Sequence, residues 1–321
     1  MDINILLALQ AFRNGPGSAF GQFLSKMTFL GEMNTILILI AVVYWCVSRE
    51  FGTYFLLGWS GNSLVNGFLK ITACAYRPWI RDARVIPDSA AQVTATGYSF
   101  PSGHSMNAAS VYGGAAVRKD LPKAARIAFA LVVVFVAFSR NYLGVHTPQD
   151  VLVGALAGTL VMVLAGRLLK WLEKHPEKDI VVMWIGVALA AAIAVYAGVK
   201  PYPEDFDAEG KLLVDGAKMA KDTFKGVGWC VAFLVGWILE KRYIRFSTDI
   251  TLMERVTRLV VGLFGYYITS LIFGSILKGI LPSNAGAVAS CFLQVFYITF
   301  LFPWCLRYLE KGRETVKQRI L

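Results

Sequence analysis

The chain has 321 residues, of which 56% are hydrophobic and only 17% charged, and its mean hydropathy is +0.55. Soluble domains carry about a quarter charged residues, and a single soluble core cannot absorb the many long apolar runs present, so a soluble globular protein is excluded. The net charge of +11 would suggest nucleic acid in a soluble protein; at this hydropathy it fits basic residues collecting in cytoplasmic loops, and no nucleic-acid partner is expected.

In chain order, residues 1–12 come first. They carry Asp2, lack a basic start and precede no small-residue cleavage site, so a removable signal peptide is not expected. Ile3, Ile5, Leu6, Leu9 and Phe12 fit an interfacial amphipathic helix. Residues 18–30 are too short for a span and read as a partial or interfacial helix. Nine spans are then predicted, at 34–48, 51–71, 104–117, 123–140, 148–172, 180–199, 225–239, 256–280 and 285–306, several near the ~20 residues that cross a bilayer. The expected fold is all-α: a polytopic helical membrane protein, with no sequence repeat. Its expected segments are 1–33 (N-terminal interfacial or partial helices), 34–175 (a transmembrane core holding the chemistry) and 176–321 (additional C-terminal transmembrane helices of unknown role). The aromatics Tyr266, Tyr267, Phe292, Phe296, Tyr297, Phe300, Phe302 and Trp304 read as lipid-facing and interfacial. Gly154 and Gly158 form a GxxxG, read as close packing inside the bundle.

Loop charge sets the topology. Arg49, then Arg118, Lys119 and Lys123, then Arg167, Lys170, Lys174 and Lys178, then Lys241, Arg242, Arg245, Arg255 and Arg258, then Arg307, Lys311, Arg313, Lys317 and Arg319 fall in one set of alternate loops. The opposite set holds the acidic stretch 201–222. By the positive-inside rule the first set is cytoplasmic, so loops 77–101 and 141–147 share the outer face. The five cysteines are scattered, with no CxxC, so neither a metal site nor a disulfide framework is expected.

Three stretches at the outer ends of spans carry the chemistry. In "KITACAYRP" (70–78), Lys70 and Arg77 would lie ~10 Å apart along a continuous helix. Pro78 drives Arg77 out of helical conformation, so the chain can bend and bring both cations together; the competing reading is two side chains snorkelling to the headgroups. In "PSGH" (101–104), Ser102 is a good N-cap for a helix starting at Gly103, whose free N–H groups suit an anion, with His104 in the first turn; the competing reading is a capped helix with an incidental histidine. In "SRNYLGVHTPQD" (139–150), Thr147, Pro148 and Asp150 read as N-cap, first position and third position of a helix. Asp150 can be a capping residue only, or its carboxylate can also orient His146. Arg140 adds a guanidinium fork suited to phosphate oxygens. The third histidine, His175, reads as a solvated helix end.

The combined spacing KxxxxxxRP…PSGH…SRxxxxxHxxxD resembles the type 2 phosphatidic acid phosphatase superfamily, the lipid phosphate phosphatases, with every motif position filled between Lys70 and Asp150. The resemblance implies a phosphatase helical-bundle core and an integral membrane, metal-independent enzyme without a cofactor. It implies that His146 attacks phosphorus and becomes a phosphohistidine, oriented by Asp150. His104 then protonates the leaving oxygen, and Lys70, Arg77, Ser102, Gly103 and Arg140 cradle the phosphoryl group. The expected substrate is a lipid phosphate or diphosphate in the bilayer, of isoprenyl diphosphate, phosphatidate or phosphatidylglycerol phosphate type. The expected location is a bacterial plasma membrane, with the site on its extracytoplasmic face. Two other readings stay open: a lipid-to-lipid phosphotransferase using the same site, and a non-catalytic headgroup binder or transporter. The resemblance says nothing about the chain beyond Ile180, nor about oligomeric state.

Overall fold

The computed structural model describes residues 2–309; the expected cytoplasmic cations Lys311, Arg313, Lys317 and Arg319 lie outside the described residues. The fold is all-helical. The N-terminal helices are α1 (Asp2–Asn14), α2 (Ser18–Thr28) and α3 (Met33–Val42). Next come the long α4 (Arg49–Ala73) and two short turns, α5 (Pro78–Arg81) and α6 (Ser89–Thr94). Helix α7 (Gly103–Ala108) continues through a π-turn, Ala109–Gly113, into α8 (Gly114–Ala116). Helices α9 (Lys123–Tyr142), α10 (Pro148–Lys174) and α11 (Asp179–Val199) follow. The chain ends with α12 (Gly216–Leu239), α13 (Leu252–Ile268), α14 (Gly274–Ile280) and α15 (Ser283–Phe296).

Among the described residues six helices are long and apolar enough to cross a membrane: Lys123–Tyr142, Pro148–Lys174, Pro176–Val199, Gly216–Ile244, Leu252–Ile280 and Ser283–Leu309. A seventh candidate is bent: Ala19–Gly31 and Met33–Val47 meet at 59°. The segment 18–30 is therefore the first arm of a broken pair. Two expected spans, at 51–71 and 104–117, are not among them. Helix α4 is long enough, but Ser60, Asn62, Ser63 and Asn66 lower its apolarity, and Ser60 and Asn62 are buried against neighbouring helices. Residues 103–116 are too short, and everything from Ser105 to Ala115 is buried. Both elements are lined by protein, which relaxes the demand for an apolar surface that lipid imposes.

Close packing sets the position of the 103–116 helix. A Cβ at Gly158 would stand 2.8 Å from Ala109 Cβ and 3.0 Å from the Met106 carbonyl, and one at Gly154 would stand 2.8 Å from the Ser102 carbonyl. The two glycines thus let α10 seat directly on α7, within the bundle, as small-residue spacing permits. On α10's outer side Leu152, Leu156, Leu160 and Leu164 form an exposed apolar ladder.

The C-terminal helices clasp this core. Two-thirds of the apolar window of α12 is buried, against 11% for the α11 span and 17% for the α13–α14 span, so α12 is the internal member and the others face outward. Trp45 Nε1 donates to the Ile298 carbonyl at 2.9 Å, and Arg258 Nη1 donates to the Trp45 carbonyl at 3.2 Å. The aromatics of this region are not uniformly lipid-facing. Tyr267 and Trp304 are exposed, but Phe302 is buried on Trp45 with ring centroids 4.6 Å apart, and Tyr297 stacks on Phe302. They serve as the joint between core and extension.

Overpacking a tight helix contact costs about 1–3 kcal/mol. Gly158→Ala should therefore lower the thermal unfolding midpoint of the detergent-solubilised protein. Gly279→Ala, where an added Cβ meets nothing within 4 Å, should leave it unchanged or slightly raised. Equal midpoints for the two variants would contradict the packing described.

Candidate active site

Each motif is set by local chemistry before it is set by the fold. Helix α4 ends at Ala73; Cys74 takes the left-handed conformation, and Arg77 is extended ahead of Pro78, with ψ 152°. The chain turns there, so Arg77 swings inward. Its guanidinium is buried and gripped by backbone carbonyls: Nε donates to Gly97 at 3.0 Å, Nη2 to Thr96 at 3.2 Å and Nη1 to Val145 at 2.8 Å. Lys70, one turn before the end of α4, donates to the Tyr98 carbonyl at 3.2 Å.

Ser102 is the N-cap of α7 and accepts from the Ser105 backbone N–H. Its own N–H donates to the Asp150 carbonyl at 2.9 Å, tying the second motif to the third. Above Gly103 there is room: an added Cβ would meet only Asn66 Oδ1, at 3.7 Å. A group approaching the first N–H donors of the helix finds the space over Gly103 open apart from the Asn66 amide oxygen. Thr147 and Asp150 form a complete capping box with Pro148 in the first turn. Asp150 Oδ2 accepts from the Thr147 N–H at 2.8 Å.

Capping does not exhaust Asp150. The same Oδ2 lies 3.5 Å from His146 Nδ1 and accepts from the Ser99 hydroxyl, whose Oγ is 3.3 Å from His146 Nδ1. Ser99 thus stands between imidazole and carboxylate. The other ring nitrogen, Nε2, is 2.8 Å from Arg77 Nη1. A guanidinium can only donate, so Nε2 accepts and carries the lone pair, and the proton sits on Nδ1, facing Ser99 and Asp150. Asn141 Nδ2 holds the His146 carbonyl at 2.9 Å.

Arg140 is fully buried. Its Nη1 donates to Thr28 Oγ1 at 2.6 Å, while Nε and Nη2 make no hydrogen bond among the described residues; neither does buried His104 Nε2. A buried unsatisfied donor costs about 1–3 kcal/mol, and more if charged. The fixed positive charges around His104 are those of Arg140, Arg77 and Lys70. The structure therefore gathers Lys70, Arg77, Arg140, His104, His146 and Asp150, with the Ser102–Gly103 helix start, at one end of the bundle. His175 lies elsewhere, capping α10 and stacked on Trp171. Among the described residues no three His, Cys, Asp or Glu side chains converge as a metal-ligand cluster.

Sequence reading misses Ser99, Asn141 and Thr28. It also misses the extension's approach to the site. The 200–219 stretch packs on the first two motif loops, with the Tyr76 hydroxyl on Asp205 and the Tyr98 N–H on Met219 Sδ. Between them opens a cleft of about 430 Å³ that Arg77 lines, with Lys211 and Lys218 from the extension also on its wall.

Burial, then the guanidinium of Arg77, then Arg140 and Lys70, hold His146 well below the usual histidine value of 6.5. These four outweigh the hydrogen bond with Ser99, which favours the imidazolium, so the free protein keeps Nε2 unprotonated through neutral pH. With three histidines in the chain, ring-¹³C histidine NMR can follow each one. The His146 resonance should show the neutral form at pH 6, and Arg77→Ala should shift its titration to higher pH. A His146 curve centred at the ordinary 6.5, or one indifferent to Arg77, would contradict this electrostatic account.

Comparison with known proteins is consistent with this geometry. The model of the PAP2 superfamily matches residues 51–174, and that of the PAP2 superfamily phosphatase transmembrane extension matches residues 224–314. The chain is 36% identical over 169 residues to a phosphatidylglycerophosphatase B of Bacillus subtilis, covering 49% of this chain and 79% of the relative. It is also 36% identical over 73 residues to an undecaprenyl-diphosphatase of Sulfolobus acidocaldarius, covering 23% of this chain and 34% of that protein. No solved structure gives a significant match. The chain belongs to the PAP2 superfamily and carries that superfamily's transmembrane extension.

Proposed function

We propose that this protein is a metal-independent lipid phosphate phosphatase working through a phosphohistidine on His146 Nε2. One observation carries the reading: a lone pair on Nε2, fixed by a donor-only guanidinium at 2.8 Å, among buried cations that include two unsatisfied Arg140 donors. Phosphoryl transfer demands positioning and charge neutralisation above all. Lys70, Arg77 and Arg140 supply three positive charges, and the α7 start adds backbone donors to the phosphoryl oxygens.

In the first step a phosphoryl oxygen takes over the Arg77 Nη1 hydrogen and frees the Nε2 lone pair. Nε2 bonds to phosphorus as the bond from phosphorus to the lipid oxygen breaks, and His104 gives that oxygen a proton. The Nδ1–H stays on Ser99 and Asp150, whose charge stabilises the imidazolium. In the second step water attacks phosphorus, His104 accepts its proton, and the P–N electron pair returns to Nε2. Splitting the reaction in this way replaces one difficult step with two easier ones.

The relatives named as phosphatidylglycerophosphatase and undecaprenyl-diphosphatase support a lipid substrate. So does the placement of the site beside apolar spans. The substrate classes that fit are phosphatidylglycerol phosphate, phosphatidate and isoprenyl diphosphate. Purified protein should release phosphate from at least one of them in the presence of EDTA. His146→Ala should lose about a thousandfold or more, and His104→Ala about 10²–10⁴-fold. Turnover abolished by EDTA and restored by Mg²⁺, or full activity in His146→Ala, would refute the mechanism.

The loop charges support an outward-facing site in a bacterial plasma membrane. In intact cells a cysteine replacing Arg84 should react with an impermeant thiol reagent, and one replacing Lys119 should not. The reverse pattern would invert the topology.

A further inference from the structure

A second cavity lies away from the histidines. It occupies about 900 Å³, near the upper end of the ~300–1,000 Å³ that ligand pockets span. Its wall uses the start of α4 at Arg49, whereas the motif residue Lys70 is at the other end of that helix. It likewise uses the later turns of α10, whereas Asp150 is in the first. At 1.5 Å per residue, the α4 positions differ by about 30 Å. The cavity therefore lies at the opposite end of the bundle, where core and extension meet.

Its charge is uneven. Six cations and four carboxylates line it. Arg49 is held by Glu240 at 3.3 Å, Arg118 by Asp120 at 2.8 Å and Lys241 by Asp179 at 3.3 Å. Lys119, Arg167 and Lys170 have no described carboxylate within ion-pair distance. Arg167 and Lys170 are one turn apart on α10 and share a face. Of the lining carboxylates, Glu50 stands 3.9 Å from Arg49 and Glu173 has no described ion pair, so the balance remains positive. The inner wall is apolar, made by Tyr54, Met162, Leu172 and Trp237, all buried. A free aqueous anion has no use for that wall, but an amphiphile does. The exposed ladder Leu152, Leu156, Leu160 and Leu164 climbs α10 to within one turn of Arg167, which gives acyl chains a continuous path to the cationic mouth.

We propose that this cavity binds the phosphate headgroup of an anionic phospholipid from the leaflet opposite the histidine site, with Lys119, Arg167 and Lys170 on the phosphate and the acyl chains along the leucine ladder. The lipid would sit at the seam joining the phosphatase core to its extension. The site is independent of the catalytic reading above.

The test uses the purified full chain in delipidated detergent micelles, with bound lipid counted by native mass spectrometry. The probes are phosphatidylglycerol, phosphatidylcholine and inorganic phosphate. Phosphatidylglycerol should be retained in preference to phosphatidylcholine. The triple variant Lys119→Ala, Arg167→Ala, Lys170→Ala should bind it at least about tenfold more weakly, since each cation near an anionic lipid contributes roughly 1 kcal/mol. Arg84→Ala, altered only at the other end, should bind it as the parent does. Arg167→Gln alone, on an exposed turn, repeats the comparison if the triple variant is not monodisperse, with a smaller loss expected. Retention unchanged in the triple variant or, where that is not monodisperse, in Arg167→Gln would overturn the proposal. So would equal retention of both lipids, loss of the lipid in Arg84→Ala, or displacement of phosphatidylglycerol by equimolar inorganic phosphate, which would mark an aqueous anion pocket.

Discussion

The structure turns on the burial of two guanidinium groups at one end of a helical bundle. Arg77 and Arg140 are buried side chains, and charged groups of like sign resist being brought together where water cannot screen them. Nothing in their own chemistry would gather them with Lys70 and two histidines. The backbone forces it. Three carbonyls from the 96–97 and 145 loops grip Arg77, and a threonine from α2 holds Arg140. Asp150, the carboxylate beside His146, is occupied by the Thr147 N–H, Ser99 and the His146 ring. Under the function proposed above, a phosphate group completes this cluster of buried cations.

That construction explains the rest of the bundle. The helix start at Ser102 sits against the third motif, so α7 and α10 approach through Gly154 and Gly158. The short 103–116 helix cannot face lipid over its length, so protein surrounds it. Helix α4 carries Lys70 to the site and is flanked by α12 of the extension; Thr223 of α12 fills the space beside Gly67. The extension is thus more than a set of added spans. Its inner helix closes the core's flank, and its 200–219 stretch walls the cleft beside Arg77.

What the sequence made legible was local. The Ser102 and Thr147 caps involve partners three residues away, and the bend at Pro78 follows from the residue beside it. Helical class and the six strong spans followed from apolar length. What was illegible was long-range. Ser99 reaches partners 47 and 51 residues away, and Thr28 meets Arg140 across 112; a serine or threonine in a loop carries no periodicity that would single it out. Hydropathy is a weak guide at α4 and at 103–116, because it does not register that a helix is lined by protein instead of lipid. It misjudged Phe302 and Tyr297 for the same reason, since an aromatic that packs on Trp45 has the same hydropathy as one that faces acyl chains.

The central claim is that the lone pair held toward Arg77 is the one that meets phosphorus. Rapid acid-free quenching during turnover of a ³²P-labelled lipid phosphate, followed by peptide mapping, tests it most directly. The account predicts acid-labile, alkali-stable phosphate on the peptide containing His146, absent from His146→Ala and retained when His104 is replaced by alanine. Label on any other residue, or label persisting in His146→Ala, would contradict it.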